Sequence, residues 1–471
     1  MSKHDNDQMC SKAIHSHPPI QYLEALSILQ AVAKQQLISF SQDEQLIPLI
    51  DAVGRICKST YKSPHSTPTF DTSAMDGFAV SSALTHHASL SNPVIICPMG
   101  TIAAGDAPLG ASSESKYDVV PCIEIMTGAP FPESTSSLPF DACIRIEDTS
   151  IVLFQGKATP LRRITKPASP FQNRRFAGTD FSEGDVVIGK GTVITAQHIM
   201  ALASLGISTI SVYRRLRVAI LSTGSELLSY KASRDESNRI RDANGPYLQA
   251  ALRQLGLDAT YLGIVEDDYR EFEEIVREAL ATSLYDAFIT TGAVSVGKFD
   301  FVEEGLLNLN ATIQFHRVAV RPGYPVLFAL VPANERKPGS EQHVPFFCLP
   351  GNPLATVVCF RFLVIPYLRS LHDQMEEAPI HAQLNFTNPA SPSTSIVLRK
   401  PDHLRVFWHG TLDYASKQVF IHNDQGSNKV RPILTANCWA VVLEGRDSIP
   451  HSSWIDCFPL LPDSLGSSHR I

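Results

Sequence analysis

Charge of either sign is scarce in this chain: 18% of its 471 residues are Asp, Glu, Lys or Arg, and 40 Lys and Arg face 47 Asp and Glu for a formal net charge of −7. Such a balance excludes the basic excess of a general nucleic-acid surface and the highly charged composition of a disordered chain. Paired cysteines are also missing. The nine cysteines (10, 57, 97, 122, 143, 348, 359, 438 and 457) include no Cys-x-x-Cys motif and lie among apolar neighbours, so they read as reduced core residues of an intracellular protein. Long apolar runs are absent too, since stretches such as Phe362 to Tyr367 are far too short to span a bilayer, and Met1 to Ile20 is polar and His-rich. The sixteen histidines show no His-x-x-x-His spacing in an apolar frame, no Ser/His/Asp hydrolase signature stands out, and no internal repeat is evident. A soluble, cytoplasmic protein that engages neither nucleic acid nor membrane is expected.

What the chain does have is length and apolar content. At roughly 150 residues per domain it should fold as about three domains, and 44% hydrophobic residues suffice for sizeable cores. Leu23, Leu26, Ile28, Leu29 and Val32 recur at helical spacing over Tyr22 to Gln35. From Pro93 to Ile164 short apolar runs (Val94 to Ile96, Val119 to Ile125, Cys143 to Ile146, Ile151 to Phe154) alternate with Gly, Pro and Ser clusters, which predicts a small β domain. Within it, Ala111 to Lys116 and Glu133 to Pro139 read as exposed loops. A helix over Thr195 to Leu205, closed by Gly206, returns the chain to its first part, making the β domain an insertion. The next stretch alternates strand (Leu216 to Leu221, Thr260 to Val265, Ala287 to Thr291) with helix (Gly245 to Leu255, Tyr269 to Thr282), the pattern of a parallel sheet covered by helices on both faces. After a Pro/Ser linker at Asn388 to Ser395, the runs Val406 to Trp408, Val419 to Ile421 and Trp439 to Leu443 predict a C-terminal β domain. The expected boundaries are 18–92 with 165–212, 93–164, 213–375 and 383–465.

Chemistry is suggested where polar residues concentrate. Asp71-Thr72-Ser73-Ala74-Met75-Asp76-Gly77-Phe78-Ala79-Val80 surrounds one methionine with carboxylates, small hydroxyls and a glycine, a composition that predicts a polar loop able to hold a metal or an anion. Thr223-Gly224-Ser225-Glu226 follows an apolar strand and can turn N–H groups and hydroxyls toward an anion. Thr290 to Gly297 offers Gly292, Gly297 and hydroxyls including Ser295, then closes with Lys298 and Asp300, as a phosphate-cradling loop does. Pro350-Gly351-Asn352-Pro353 leads into a helix whose N–H groups would face the same crevice. All three follow strands of the sheet, where sites in this architecture sit. Strand alternation places Arg317 and Arg321 on one side, either as partners for a dianion or phosphate or as a solvated strand edge. Asp76, Asp180, Glu226 and Asp300 each sit beside glycine or a hydroxyl, and acids beside phosphate loops imply a bridging Mg2+. Asp242 and Asp267-Asp268 are further candidates, or helix N-caps.

In this order and spacing, Pro68 to Val80, Leu221 to Leu227, Thr290 to Asp300 and Leu349 to Pro353 resemble the molybdopterin molybdenumtransferase family, called MoeA in bacteria and represented in animals by the E domain of gephyrin. The similarity runs from about Tyr22 to about Trp454. The resemblance implies a multidomain α/β and β protein: a central three-layer domain of the molybdenum-cofactor type with a parallel sheet, an inserted small β domain, a C-terminal β-barrel-like domain, and a discontinuous first domain that links two copies as a homodimer. It implies a transferase that takes adenylylated molybdopterin and molybdate, cleaves the pyrophosphate link with Mg2+ and releases AMP, with a molybdopterin adenylyltransferase as a further partner. Asp76, Asp180, Glu226 and Asp300 match the family's functional acids, with Asp76, Glu226 and Asp300 as metal ligands. Arg317, Arg321, Ser295, Gly292 and Gly297 match its substrate surface, beside Thr223, Gly224, Ser225, Pro350, Gly351 and Asn352.

The chain departs from the family pattern at particular positions. Gly292-Ala293-Val294-Ser295 stands for Gly-Gly-Val-Ser, and Lys298 stands where an acid is common. Tyr324 replaces the second lysine of Lys-Pro-Gly-Lys, and Ala355 a serine after Pro350-Gly351-Asn352-Pro353. The last two remove a cation and a hydroxyl from the region expected to hold molybdate, for which Ser427 or Arg431 are candidate substitutes. Two rivals follow: a paralogue that binds molybdopterin or acts as a scaffold without insertion, and a nucleotide-sugar or nicotinamide nucleotide hydrolase on a similar α/β domain, which leaves the first motif unexplained.

Overall fold

The computed structural model describes residues 18–40, 44–109, 119–134, 139–233, 238–294, 301–333, 343–385 and 397–462. The expected loop at Ala111 to Lys116, most of that at Glu133 to Pro139, the Asn388 to Ser395 linker, and Ser295, Gly297 and Asp300 lie outside the described residues. The chain forms two compact units, one of Met1–Ser59, Lys190–Ile199 and Thr209–Ile471, the other of Thr60–Gly189 and Met200–Ser208.

The first unit is built on a six-stranded sheet in the spatial order Asp258–Val265, Arg217–Thr223, Ala287–Thr291, His343–Leu349, Leu327–Pro332, Thr312–His316. The first four strands are parallel and the last two antiparallel. Both faces are covered, which explains the unbroken apolar runs: along Arg217–Thr223, Val218 and Ile220 enter one core while Ala219 and Leu221 enter the other. Phe347 and Phe346 divide in the same way. Phe346 stacks on Phe288 at 4.4 Å, and Phe347 meets Phe328 at 4.7 Å and Tyr367 at 5.2 Å.

Tyr367 belongs to the helical run Pro353–Leu371, which includes a π-turn at Phe360–Val364. The run Phe362 to Tyr367 thus belongs to a helix that is long and apolar enough to cross a membrane by composition, contrary to the expected absence of long apolar runs, and 89% of its apolar window is buried in the unit's own core. The N-terminal helix Tyr22–Phe40 extends past the expected Gln35. It docks there through Tyr22, whose hydroxyl donates to Phe362 O, and Gln36, whose amide oxygen accepts from Tyr367 at 2.5 Å.

The C-terminal strands close into a five-stranded barrel, Arg405–Asp413, Gln418–Ile421, Ile380–Asn385, Trp454–Pro459 and Cys438–Val442, with the last pairing back to the first. A sixth strand, Val320–Arg321, comes from the α/β segment and pairs parallel to Arg405 and Val406. The alternation expected across Arg317 to Tyr324 does not occur, because Arg317 adopts φ +73° and leaves the strand that ends at His316. The next strand then joins a different sheet.

The second unit holds a six-stranded sheet in the order Ala142–Arg145, Gly77–Val80, Val120–Ile125, Val94–Ile102, Lys157–Ile164, Thr149–Phe154. Gly77–Val80 is therefore a strand and not part of a polar loop. Its apolar run is short, but Phe78 and Val80 enter one core and Ala79 another, with strands hydrogen-bonded on both sides. The helix Ala196–Ser204 ends as its sequence predicts, with Gly206 at φ +76° and N–H bonds from Gly206 to Ala203 O and from Ile207 to Leu202 O. All eight cysteines among the described residues are free thiols, seven buried and Cys97 half-buried.

A Cβ at Gly77 would sit 1.9 Å from Ile144 O in the neighbouring strand, which is backbone and cannot step aside. Gly77→Ala should therefore destabilise the second unit by about 3 kcal/mol or more. Denaturant unfolding read by amide hydrogen exchange in that sheet checks it, and unchanged protection would show that the strands part freely there.

Candidate functional site

Three loops converge at the carboxyl ends of the parallel strands in the first unit. Gly292 N–H donates to Leu349 O at 3.0 Å, and the Thr223 hydroxyl donates to Thr291 O at 3.0 Å. A Cβ on Gly292, which has φ +94°, would fall 2.4 Å from Thr223 O, and one on Gly351 would lie 3.5 Å from the Gly292 Cα. Glycine at 292 is what lets the first two loops approach this closely, whereas a side chain at 351 would meet the second loop at ordinary contact distance. The neighbouring Ala293 also adopts a left-handed φ of +49°, at the position where the family pattern has a second glycine.

Asp242 organises this end of the sheet from a buried position. Its Oδ2 accepts from the Ser222 hydroxyl at 2.8 Å and the Tyr261 hydroxyl at 2.6 Å, and its Oδ1 from the N–H groups of Asn244 at 3.0 Å and Gly245 at 3.3 Å. Burial and the neighbouring carboxylate push the Tyr261 hydroxyl pKa upward, so it stays a proton donor. Asn244 in turn donates to Gly351 O at 2.7 Å, tying the third loop in. Asp242 is not itself the N-cap of the helix Asn244–Gln254, a position held by Ala243, but from one residue earlier it accepts the N–H groups of that helix's first residues. Asp268 is an N-cap, accepting from Arg270 N–H at 2.8 Å at the start of Tyr269–Ala281.

The first loop has few free donors. Ser225 and Asp267 pair reciprocally, Ser225 N–H to Asp267 Oδ2 at 3.3 Å and Asp267 N–H to Ser225 Oγ at 3.0 Å, while Gly224 N–H goes to Val265 O. Glu226 is exposed beside Gly224. The N-terminus of Pro353–Leu371 is likewise occupied, since Leu354 N–H donates to Ser427 O at 3.0 Å and Thr356 N–H to Asn352 O at 2.9 Å.

Open binding capacity lies next to this crevice. Pro350, Asn352 and Ala355 form one wall of a cleft of about 790 Å³, whose other walls are Arg321 to Pro325, the segment Arg399 to Pro401 with His403 and Leu404 that leads into the barrel, and the barrel loop Gln425 to Asn428. Arg321 is exposed in it, whereas Arg317 is not among its lining residues. Ser427 lies here with its hydroxyl 3.3 Å from the Asn352 amide nitrogen, and Arg431 is absent from the lining. Sequence reasoning missed Arg399 and His403, both exposed in the cleft. Lys400 beside them is spent internally, donating to Pro401 O at 3.0 Å and Leu404 O at 2.6 Å. The signal was a basic run, Arg399-Lys400, which composition alone does not distinguish from a solvated edge.

Asp76 and Asp180 belong to the second unit. There the two motifs about a hundred residues apart meet: Thr72–Ser73 pairs with Arg174–Arg175, and Asp71 accepts from Arg174 Nε at 2.6 Å and Ala177 N–H at 2.8 Å. Asp76 accepts from the N–H and hydroxyl of Thr127 at 2.6 and 2.7 Å, which holds its carboxyl below the usual range. Asp180 is exposed, with its N–H on Thr67 O. Among the described residues no three His, Cys, Asp or Glu side chains converge as a metal site.

Residues 20–206 match the model of the MoeA N-terminal region (domains I and II), and residues 219–370 that of a probable molybdopterin binding domain. The chain is 30% identical over 432 residues to the molybdopterin molybdenumtransferase of Synechococcus elongatus, covering 91% of this chain and 96% of that one. It is 30% identical over 427 residues to that of Haemophilus influenzae, covering 90% and 96%. The chain belongs to the molybdopterin molybdenumtransferase family. The family's members are transferases of molybdenum cofactor biosynthesis. Two crystal structures of the molybdopterin biosynthesis MoeA protein of Pyrococcus horikoshii share the fold, with TM-scores of 0.72 and 0.71 at 24% and 21% identity, each covering 94% of this chain and 99% and 100% of theirs.

One contact ties the second strand-end loop to the core in a pH-dependent way. Buried His316 pairs through Nδ1 with Glu303 at 3.0 Å, and its Nε2 lies 3.0 Å from Val294 O. Burial lowers the imidazole pKa, but the Glu303 and Val294 hydrogen bonds outweigh it, so the net shift is upward. A raised histidine pKa contributes stability that is full below the unfolded value near 6.5 and is lost as pH rises through the folded value. His316→Gln should cost about 1–3 kcal/mol at pH 6 and progressively less toward pH 8.5, read as the difference in denaturant midpoint. A difference that does not change with pH would show that the imidazole is neutral throughout.

Proposed function

We propose that the chain inserts molybdenum into adenylylated molybdopterin and releases AMP, with the anion held in the cleft between the third strand-end loop and the barrel. The observation that carries this reading is the donor set of that cleft. Arg321 and Arg399 supply guanidinium charge and Ser427 a hydroxyl, all lining one 790 Å³ space. Molybdate is a dianion, and charge-assisted hydrogen bonds from guanidinium and hydroxyl donors suit it. Tyr324 and Ala355 removed a cation and a hydroxyl from the family pattern, and Arg399, in the segment leading into the barrel, and Ser427, in a barrel loop, offer both from the facing side. This favours insertion over the scaffold reading.

Mg2+ is bound through one or two carboxylates together with substrate phosphates, so it does not need a three-acid protein cage. Glu226, exposed at the end of Arg217–Thr223, and Asp300 fit that donor requirement and would hold it. When bound, the ion neutralises the charge of the phosphoanhydride. The protein's own contribution is to fix the anion beside the loops that Asp242 and Gly292 hold in place.

The decisive assay incubates the purified protein with adenylylated molybdopterin, Mg2+ and molybdate and measures AMP. Asp300→Asn should leave folding intact and lower Mg2+-dependent AMP release roughly 10- to 100-fold, the equivalent of one charge-assisted interaction. Unchanged release with substrate bound would take Asp300 out of the site.

Tyr324→Lys combined with Ala355→Ser should lower the molybdate requirement about tenfold at limiting molybdate and have no effect at saturation. Equal AMP release by both proteins with the same molybdate dependence would place the anion elsewhere. Binding of the pterin with no molybdate dependence in either protein would favour the scaffold role.

A further inference from the structure

The opposite edge of the same sheet carries a second concentration of positive charge. Arg55, Arg214, Arg215 and Arg217 line an open concavity of about 680 Å³, with Glu44, Gln45 and Asp258 completing it. Arg217 opens the strand Arg217–Thr223 and Asp258 opens Asp258–Val265, so this face lies at the amino ends of the parallel strands. A seven-residue strand separates it by roughly 20 Å from the loops that follow Thr223.

Among the described residues, four guanidinium groups here face the three carboxylates of Glu44, Asp258 and Asp286, and Arg55 is held by the neutral acceptors Gln45 Oε1 at 2.7 Å and Tyr213 O at 2.8 Å. Asp286 takes a bidentate contact from Arg214 at 2.6 Å through both oxygens and also accepts the Arg217 N–H at 2.8 Å. Arg217 Nε is sealed from solvent and has no hydrogen-bond partner, its nearest acidic oxygen being Asp286 at 3.8 Å. Arg215 approaches Asp258 only at 4.0 Å, and both side chains are more than half exposed. Glu44 is engaged by Lys58 and by the Ser211 hydroxyl. Burial first, and repulsion from Arg215 second, depress the Arg55 pKa, so these cations strain against one another even with Asp258 nearby.

We propose that this arginine face is a binding site for a compact anion carrying two or more phosphoryl groups. Forked guanidinium donors match phosphoryl oxygens two at a time, and an incoming anion relieves the mutual repulsion of the arginines. The carboxylates bear on the size of the ligand. Glu44 and Asp258 also line the concavity, 50% and 60% exposed, and two such carboxylates disfavour a broad acidic protein surface more than a short phosphate chain. The site is separate from the proposed molybdate cleft and does not depend on that assignment.

Titration calorimetry of the whole chain with sodium tripolyphosphate at fixed ionic strength tests the site, with a nucleoside triphosphate in parallel to distinguish a free phosphate chain from a nucleotide as its source. Binding is expected, and Arg215→Ala/Arg217→Ala should weaken it at least about tenfold. Asp258→Asn, which deletes an exposed repelling charge and is safe for folding, should strengthen it roughly twofold to fivefold. No binding by the natural protein, or no response to Asp258→Asn, overturns the proposal. So does binding that survives the double arginine variant and is lost on Arg321→Ala, which would put the anion in the cleft.

Discussion

A carboxylate buried at the end of a parallel sheet must have its charge met by hydrogen bonds, because water cannot do so. Asp242 is in that position, and it is met by two hydroxyls and two backbone N–H groups drawn from the first strand, the second strand and the helix that starts beside it. The same helix start sends Asn244 to Gly351 O, so the loop before Pro353 is fixed to the loop after Thr223. The crevice depends on this node. It links the first and third loops, and Gly292, whose added Cβ would lie 2.4 Å from Thr223 O, lets the second pack against the first.

The cleft is the product of a second constraint, the sharing of a strand between two sheets. Val320–Arg321 leaves the α/β layer and pairs with the barrel strand that starts at Arg405. Arg321 is thereby carried to the barrel, and the barrel loop at Ser427 reaches back to bind Leu354 N–H and lie against Asn352. The donors of the cleft come from both sides of this exchange. Among the described residues, most donors inside the strand-end crevice are paired within the protein, whereas Arg321, Arg399 and His403 are exposed in the cleft.

Much of this was legible in the sequence. The parallel strands and their helices were readable because both faces of the sheet are buried, which makes each strand a continuous apolar run, and Ala287–Thr291 appears at the expected residues. The barrel strands were readable from short apolar runs between turns. The strand Gly77–Val80 was not: three apolar residues are too few to signal a strand by period, and only neighbours on both sides made them sufficient. Arg317 was misplaced for a related reason. Alternation assumes an unbroken strand, and a left-handed residue resets the register without any glycine to announce it.

By itself the sequence determined the order of layers, the family, and the set of loops that end the parallel strands, because these follow from hydrophobic period and from residues whose backbone freedom or rigidity is intrinsic. Only the tertiary structure decided which polar groups remain available. Ser225, Asp267, Asp268 and Lys400 look like binding groups in one dimension and are partnered in three, whereas Arg399 and Ser427, far along the chain from Pro350, share its cleft. A hydrogen bond consumes a donor irrespective of its separation in sequence, and that accounting exists only once the chain is folded.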